Sequence, residues 1–137
     1  MRVSPLWLSG SPGKMLEVWT ARISTKDPDA FNITRKSGHK EFAPSWEALQ
    51  RMLEIRRSGR VATEEEWREY VEGYLKEMGR SHRVHKASWD ALLARERVVL
   101  VCYCTNPQRC HRTILARILE SLGAVNRGEL PTVTKSP

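Results

Sequence analysis

The sequence predicts a single α/β domain, three-layered and Rossmann-like, with a small, mainly parallel sheet flanked by helices. Three observations carry this. The stretch Val98-Val99-Leu100-Val101-Cys102-Tyr103 is continuously apolar, as a strand buried on both faces must be. Amphipathic helical segments with recognisable start signals lie on both sides of it. The chain has 137 residues, 40% of them hydrophobic, which suits one core and leaves little room for a second.

Taken in order, residues 1–13 form an N-terminal loop, because Pro5, Gly10, Pro12 and Gly13 interrupt any regular element. Met15 to Ser24 mixes alternation with β-formers and reads as the first strand. Asp27-Pro28-Asp29 is a turn, and Phe31 to Arg35 a short second strand. Ser45 caps a helix through Arg57 that has Trp46, Leu49 and Leu53 on one face and Gly59 beyond its end. Thr63-Glu64-Glu65-Glu66 is a capping box. Behind it, Trp67, Tyr70, Val71, Tyr74, Leu75 and Met78 share one stripe, and Gly79 stops the helix. The basic segment Gly79 to Lys86 then reads as a linker, and Ser88 opens a shorter helix to Arg95 with Trp89, Leu92 and Leu93 inward. The aromatic stripes read as core rather than as ligand-stacking surface. After the apolar strand comes a loop, Cys104 to Cys110, in which Asn106-Pro107 resists both helix and ladder. A last helix, His111 to Leu122, carries Ile114, Leu115, Ile118 and Leu119 and closes at Gly123. The domain thus spans 14–130, with a flexible tail at 131–137.

Charge narrows the partner class. Residues 1–40 hold seven basic and three acidic side chains, residues 41–78 six and nine, and residues 79–137 ten and four. The net charge of +7 therefore sits at the two ends around an acidic centre, which suits a polyanionic partner. No apolar run approaches the roughly 20 residues of a membrane span. The start, MRVSPLWLSGSPG, is too short and too broken by Pro and Gly for a signal peptide. Three cysteines, an odd number, make no disulfide framework, which points to a reducing cytoplasm.

A buried strand, a short polar loop and a helix N-terminus make up the usual ligand site of α/β proteins. Here that place holds Arg109, Cys110, His111 and Arg112. Arg109 and Arg112 oppose the helix dipole, so they either face solvent or hold an anion against the free N–H groups. Read as an anion site, it is Arg109, His111 and Arg112 that bind phosphate, with bidentate arginine geometry. Cys110 is the candidate catalytic thiolate, stabilised by the dipole and the neighbouring cations, and His111 the candidate acid or base. The alternative reading makes Cys110 a cysteine that packs or caps the loop. Cys102 and Cys104 share one strand face and form, with Cys110 and His111, the pattern C-x-C-x5-C-H. Zinc accepts such a set, but strand cysteines converge poorly on one ion, so no metal is expected. Cys104 remains open as a redox partner of Cys110. His39, His82 and His85 lie in basic loops that either touch phosphates or are simply solvated.

The segment VVLVCYCTNPQRCHRTILARIL resembles the signature of the uncharacterised family known as domain of unknown function 488. That signature is a hydrophobic strand ending in Cys-x-Glu, a short loop, then Cys-His-Arg and an amphipathic helix. The upstream APSWEALQRMLEIRRSGRVATEEEWREYVEGYL is similar to the same family's shorter members, so the resemblance spans Phe42 to Leu122. Cys102 matches the strand cysteine, and Cys110, His111 and Arg112 match Cys-His-Arg. Cys104 stands where the family has its acidic residue, so no carboxylate carries over to that position. A second uncharacterised family, often found in phages, is similar in its Cys-x-Cys strand end and Cys-His loop. The resemblance implies a compact α/β fold, a site at the strand end and a phage or bacterial source; it implies no reaction and no cofactor.

The functional reading is recognition of a phosphate-bearing ligand, a nucleotide or nucleic-acid end, at the loop Cys104 to Arg112. The competing reading is a small basic regulator that docks on a host protein or nucleic acid without catalysis. A focus of basic residues around Arg109, His111 and Arg112 favours the first. A broad face including Arg80, Arg83 and Lys86 favours the second.

Overall fold

A computed structural model describes residues 15–104 and 106–131. The expected N-terminal loop and the tail beyond residue 131 lie outside the described residues. Four strands, β1 (Glu17–Arg22), β2 (Ala30–Asn32), β3 (Arg97–Cys102) and β4 (Val125–Glu129), form one sheet in the order β2-β3-β1-β4. Every pairing is parallel. Four helices flank it: α1 (Trp46–Arg57), α2 (Glu64–Val84), α3 (Lys86–Leu93) and α4 (His111–Ser121). This is the small, parallel, Rossmann-like α/β class with flanking helices that the sequence predicts. No helix among the described residues is long and apolar enough to cross a membrane.

Topology explains where the layers lie. The β2→β3 and β3→β4 connections step the same way across the sheet, so right-handed crossovers bring their helices to one face. There Val18, Val98 and Leu100 pack with Tyr74 and Met78 of α2, Trp89 and Leu92 of α3, and Leu115 and Leu119 of α4. The short β1→β2 connection steps the other way. Its Ile23 packs on a smaller cluster of Ala21, Val99 and Val101 on the second face, together with Trp19 and Leu130. Alternation along β3 thus feeds both faces, which is why the strand reads as one apolar run.

The first two helix starts follow their sequence signals, whereas α3 begins at Lys86, two residues before the expected Ser88. Ser45 Oγ accepts from Ala48 N at 3.2 Å, and the Thr63–Glu66 capping box is formed in both directions. Gly59, at φ 81°, ends α1 in a conformation that favours glycine.

Two further expectations change, and one strand was not foreseen. Gly79 does not stop α2, which continues to Val84, so the basic segment 79–86 is mostly helical. A glycine in a helix costs only about 1 kcal/mol against alanine. Beyond it, Ser81 Oγ donates to Glu41 O at 2.6 Å and accepts from Trp89 Nε1 at 2.9 Å, anchoring the extra turn. Trp46, expected in the core, is 56% exposed, because α1 stands off the sheet and lines a cleft. Strand β4 has no sequence signature: Val-Asn-Arg-Gly-Glu lacks alternation, and a register shift opposite Val18 and Trp19 precedes Gly128 at φ 88°.

Candidate functional site

Strands β2 and β3 end side by side, and α4 begins at the same edge. Over them lies a cleft of about 560 Å³. Cys102, Cys104, Cys110 and His111 line its inner part, while α1 and the start of α2 supply a wall with Trp46, Leu49, Leu53, Trp67 and Tyr70. Tyr103, Asn106 and five basic side chains (Arg35, Lys36, Arg56, Arg60 and Arg109) complete the lining, which includes no carboxylate. Arg60 is paired with Glu66 at 2.8 Å. Arg109 donates to Ala62 O and to the exposed Glu64, both at 2.8 Å, and lies 5.6 Å from the Trp67 ring centre. Lys36 and Arg56 have no side-chain hydrogen bond or ion pair among the described residues.

His111 opens α4 and is almost wholly buried. Its Nε2 lies 2.9 Å from Ile33 O. A carbonyl only accepts, so the proton is on Nε2 and Nδ1 keeps the lone pair. Burial pushes its pKa down to about 4; the Ile33 carbonyl opposes this and the Arg112 charge adds to it. The imidazole is therefore neutral near pH 7 and held in one tautomer. Tyr74 packs edge-on against it, its own hydroxyl donating to Phe42 O at 2.7 Å.

Cys110 is the N-cap of α4, yet its side chain caps nothing. Its sulfur instead turns inward and touches that of Cys102, although the two Cα atoms are 8.0 Å apart. Both cysteines are about 1% exposed. One ligand atom from each of Cys102, Cys110 and His111 fits within 4.8 Å of the others. The expectation of no metal rested on strand cysteines being unable to meet the loop; Cys102 does meet it, because a strand end and a helix start converge here. Cys104 is half-buried and apart from this group. Burial raises its pKa, and the charges of Arg112 and Arg56 oppose that rise.

The expected site residues therefore divide. Cys110, His111 and Arg109 line one cleft. Arg112 lies beneath it: its guanidinium is fully buried, with Nη1 on Cys104 O at 2.9 Å, Cys102 Sγ at 3.2 Å and Cys110 Sγ at 3.5 Å. His39 stacks on Phe31 and His82 meets the edge of Trp89, and neither lines the cleft. Sequence reasoning missed Arg35, Lys36, Arg56 and the aromatic wall. For Arg35 and Lys36 a signal existed, since they follow a strand whose end faces the same crevice.

A parallel α/β fold with a Cys-Cys-His cluster under its strand-end crevice defines the class of protein. A family model described as the active DUF488-N3 subclade (DUF488-N3a) matches residues 6–123. The chain belongs to that DUF488 family. No curated protein and no solved structure matches it.

Proposed function

We propose that the chain binds a phosphate-bearing ligand with an aromatic base, a nucleotide or the end of a nucleic acid, in the cleft above β2 and β3. The observation that carries this is the lining: five cations and no carboxylate beside Trp46, Trp67, Tyr70 and Tyr103. Arg60 and Arg109 already face Glu66 and Glu64, but Lys36 and Arg56 have no carboxylate partner among the described residues. Such cations in a concave site favour an anion, and aromatic walls favour stacking of a flat ring. Within this reading Lys36, Arg56 and Arg109 take the phosphate, aided by the first N–H groups of α4. His111, at the inner end, faces the ligand with a neutral ring. Arg112 holds the site from below. Cys110 and His111 are the groups placed to act on the ligand, and membership of a subclade described as active accords with chemistry there.

Calorimetric titration of the full chain with nucleoside monophosphates and, separately, inorganic phosphate tests this. Binding should be tighter for the nucleotide. Arg56→Ala and Lys36→Ala should each weaken it by about 1.5–3 kcal/mol, the range for charged hydrogen bonds. Loss on Trp46→Ala but not on either cation variant would leave an apolar cleft and remove the phosphate. Binding to duplex DNA alone, sensitive to Arg80→Ala and Arg83→Ala, would favour the docking regulator.

A further inference from the structure

We propose that Cys102, Cys110 and His111 hold a divalent transition-metal ion of the zinc class, with its fourth position open to the cleft. The proposal does not depend on the identity of the cleft's ligand. Three observations point the same way. The donor atoms lie within 4.8 Å of one another, and all three residues are buried. Two sulfurs and one imidazole nitrogen are the soft and borderline donors zinc selects, and three protein ligands with an open position is the arrangement of catalytic sites.

The second observation concerns orientation. His111 Nε2 bonds to Ile33 O at 2.9 Å. A ligating histidine commonly donates its other ring N–H to a carbonyl, which fixes the ring and leaves one lone pair for the ion. Here that lone pair is on Nδ1. The sulfurs have an outer contact too: Arg112 Nη1 lies 3.2 Å from Cys102 Sγ and 3.5 Å from Cys110 Sγ. One of the two Nη1 hydrogens serves Cys104 O at 2.9 Å, so the sulfurs share the other as acceptors, a role metal-bound thiolates also fill. Arg112 is itself aimed by Glu129, which takes Nε at 3.1 Å and Nη2 at 2.8 Å.

The third is charge and reach. Arg112 and Glu129 cancel, so a divalent cation held by two thiolates would leave the buried group with no net charge. Binding releases two thiol protons, and no oxidant is needed. A disulfide would also neutralise the pair, but it spans about 4.4–6.8 Å between Cα atoms. The 8.0 Å here exceeds that. Two metal–sulfur bonds of about 2.3 Å bridge a longer gap. A bound ion would polarise a ligand oxygen or activate water at the inner end of the cleft.

The test uses the full chain, purified without chelator and without a histidine tag. Elemental analysis should find about one zinc per chain. Cobalt added to the stripped protein should give a thiolate-to-cobalt charge-transfer band and intense visible bands of a tetrahedral site. Cys104→Ser should keep both signals, whereas Cys110→Ser and His111→Ala should lose zinc while circular dichroism reports their fold. Should those variants unfold, thiol counting on the wild type decides: rebinding zinc to the stripped, reduced chain should protect two thiols. Zinc far below stoichiometry with no cobalt band would overturn the proposal. So would a Cys102–Cys110 disulfide in non-reducing peptide maps of the isolated protein, or loss of the metal in Cys104→Ser.

Discussion

Arg112, in the first turn of α4, forms a two-pronged ion pair with Glu129 at the end of β4: Nε to Oε1 at 3.1 Å and Nη2 to Oε2 at 2.8 Å. Thr20 Oγ1, on the neighbouring strand β1, donates to the same carboxylate at 2.6 Å. The pair ties the helix N-terminus to the edge strand, and it explains how a cation survives at the positive end of a helix dipole. Its two ends differ in environment. The guanidinium is fully buried, while the carboxylate side chain is 32% exposed.

That asymmetry gives the first prediction. Glu129→Gln leaves a buried guanidinium without its counter-charge and should cost about 3–5 kcal/mol, the range for breaking a buried pair. Arg112→Met leaves a carboxylate that water still reaches and should cost less, about 1–3 kcal/mol. The double variant should cost less than the two added together, since the contact is lost only once. Urea unfolding of the three variants measures this; additive costs would mean the two residues act separately.

A second prediction concerns acid. Burial pushes the Glu129 carboxyl up, but hydrogen bonds from Arg112 and Thr20 with the Arg112 charge outweigh it and hold the group below the usual carboxylate range. A group lowered on folding stabilises the native state above its unfolded pKa, and that gain disappears as pH falls through the folded value. Stability should therefore drop below about pH 4, near the unfolded carboxylate value. The drop should be shallower in Glu129→Gln. Identical acid limbs for the two proteins would place the titration elsewhere.

The strand-loop-helix core of the site was legible because β3 is apolar on both faces and Cys-His-Arg follows at a helix start. Its electrostatics were not. Sequence places Arg112 at a helix terminus and suggests solvent or a ligand; only β4, whose Val-Asn-Arg-Gly-Glu carries no pattern, supplies the carboxylate that takes it inward. The far wall was hidden for a different reason. Trp46, Leu49 and Leu53 have the spacing of a core stripe, and the periodicity of a buried face and of a cleft wall is the same. Gly79 misled because propensity is weak against the Ser81 contacts that hold the helix beyond it.

Those contacts carry a third prediction. Ser81 Oγ satisfies both the buried Trp89 N–H and the Glu41 carbonyl. Ser81→Ala leaves the buried Trp89 N–H and the part-buried Glu41 carbonyl without this partner and should cost about 1–3 kcal/mol. Trp89→Phe in that background should recover part of the loss, since it removes the orphaned donor. Thermal melts of the single and double variants distinguish this from simple loss of packing, in which Trp89→Phe would only add to the damage.

A fourth separates two glycines. A Cβ on Gly38 would collide with the carbonyl oxygen of Asn32, where β2 leads into the loop bearing Arg35 and Lys36. Gly59 has open space, and only its φ of 81° resists a side chain. Gly59→Ala should therefore cost about 1–2 kcal/mol with ligand affinity unchanged. Gly38→Ala must move the loop and should weaken nucleotide or phosphate binding as well. Stability and affinity measured together decide it; equal affinities would uncouple the loop from the cleft.

The last prediction concerns the three thiols. Sequence favours Cys110 as the most reactive, because a helix N-terminus and flanking arginines promote thiolate. In the fold its sulfur points inward, and Cys110 and Cys102 are each about 1% exposed. Cys104 is half-buried at the cleft, where burial raises its pKa while Arg112 and Arg56 oppose the rise. Access and acidity thus act against each other. An alkylating agent cannot reach a sealed sulfur without local opening around it, so access should decide the order. Iodoacetamide near pH 8 followed by peptide mass mapping should modify Cys104 first, by about tenfold or more over Cys110. A bound nucleotide should slow Cys104 by filling the cleft beside it. If Cys110 reacts first in the folded chain, the start of α4 opens faster than the cleft admits reagent, and the nucleophile role of Cys110 gains over a metal-bound one.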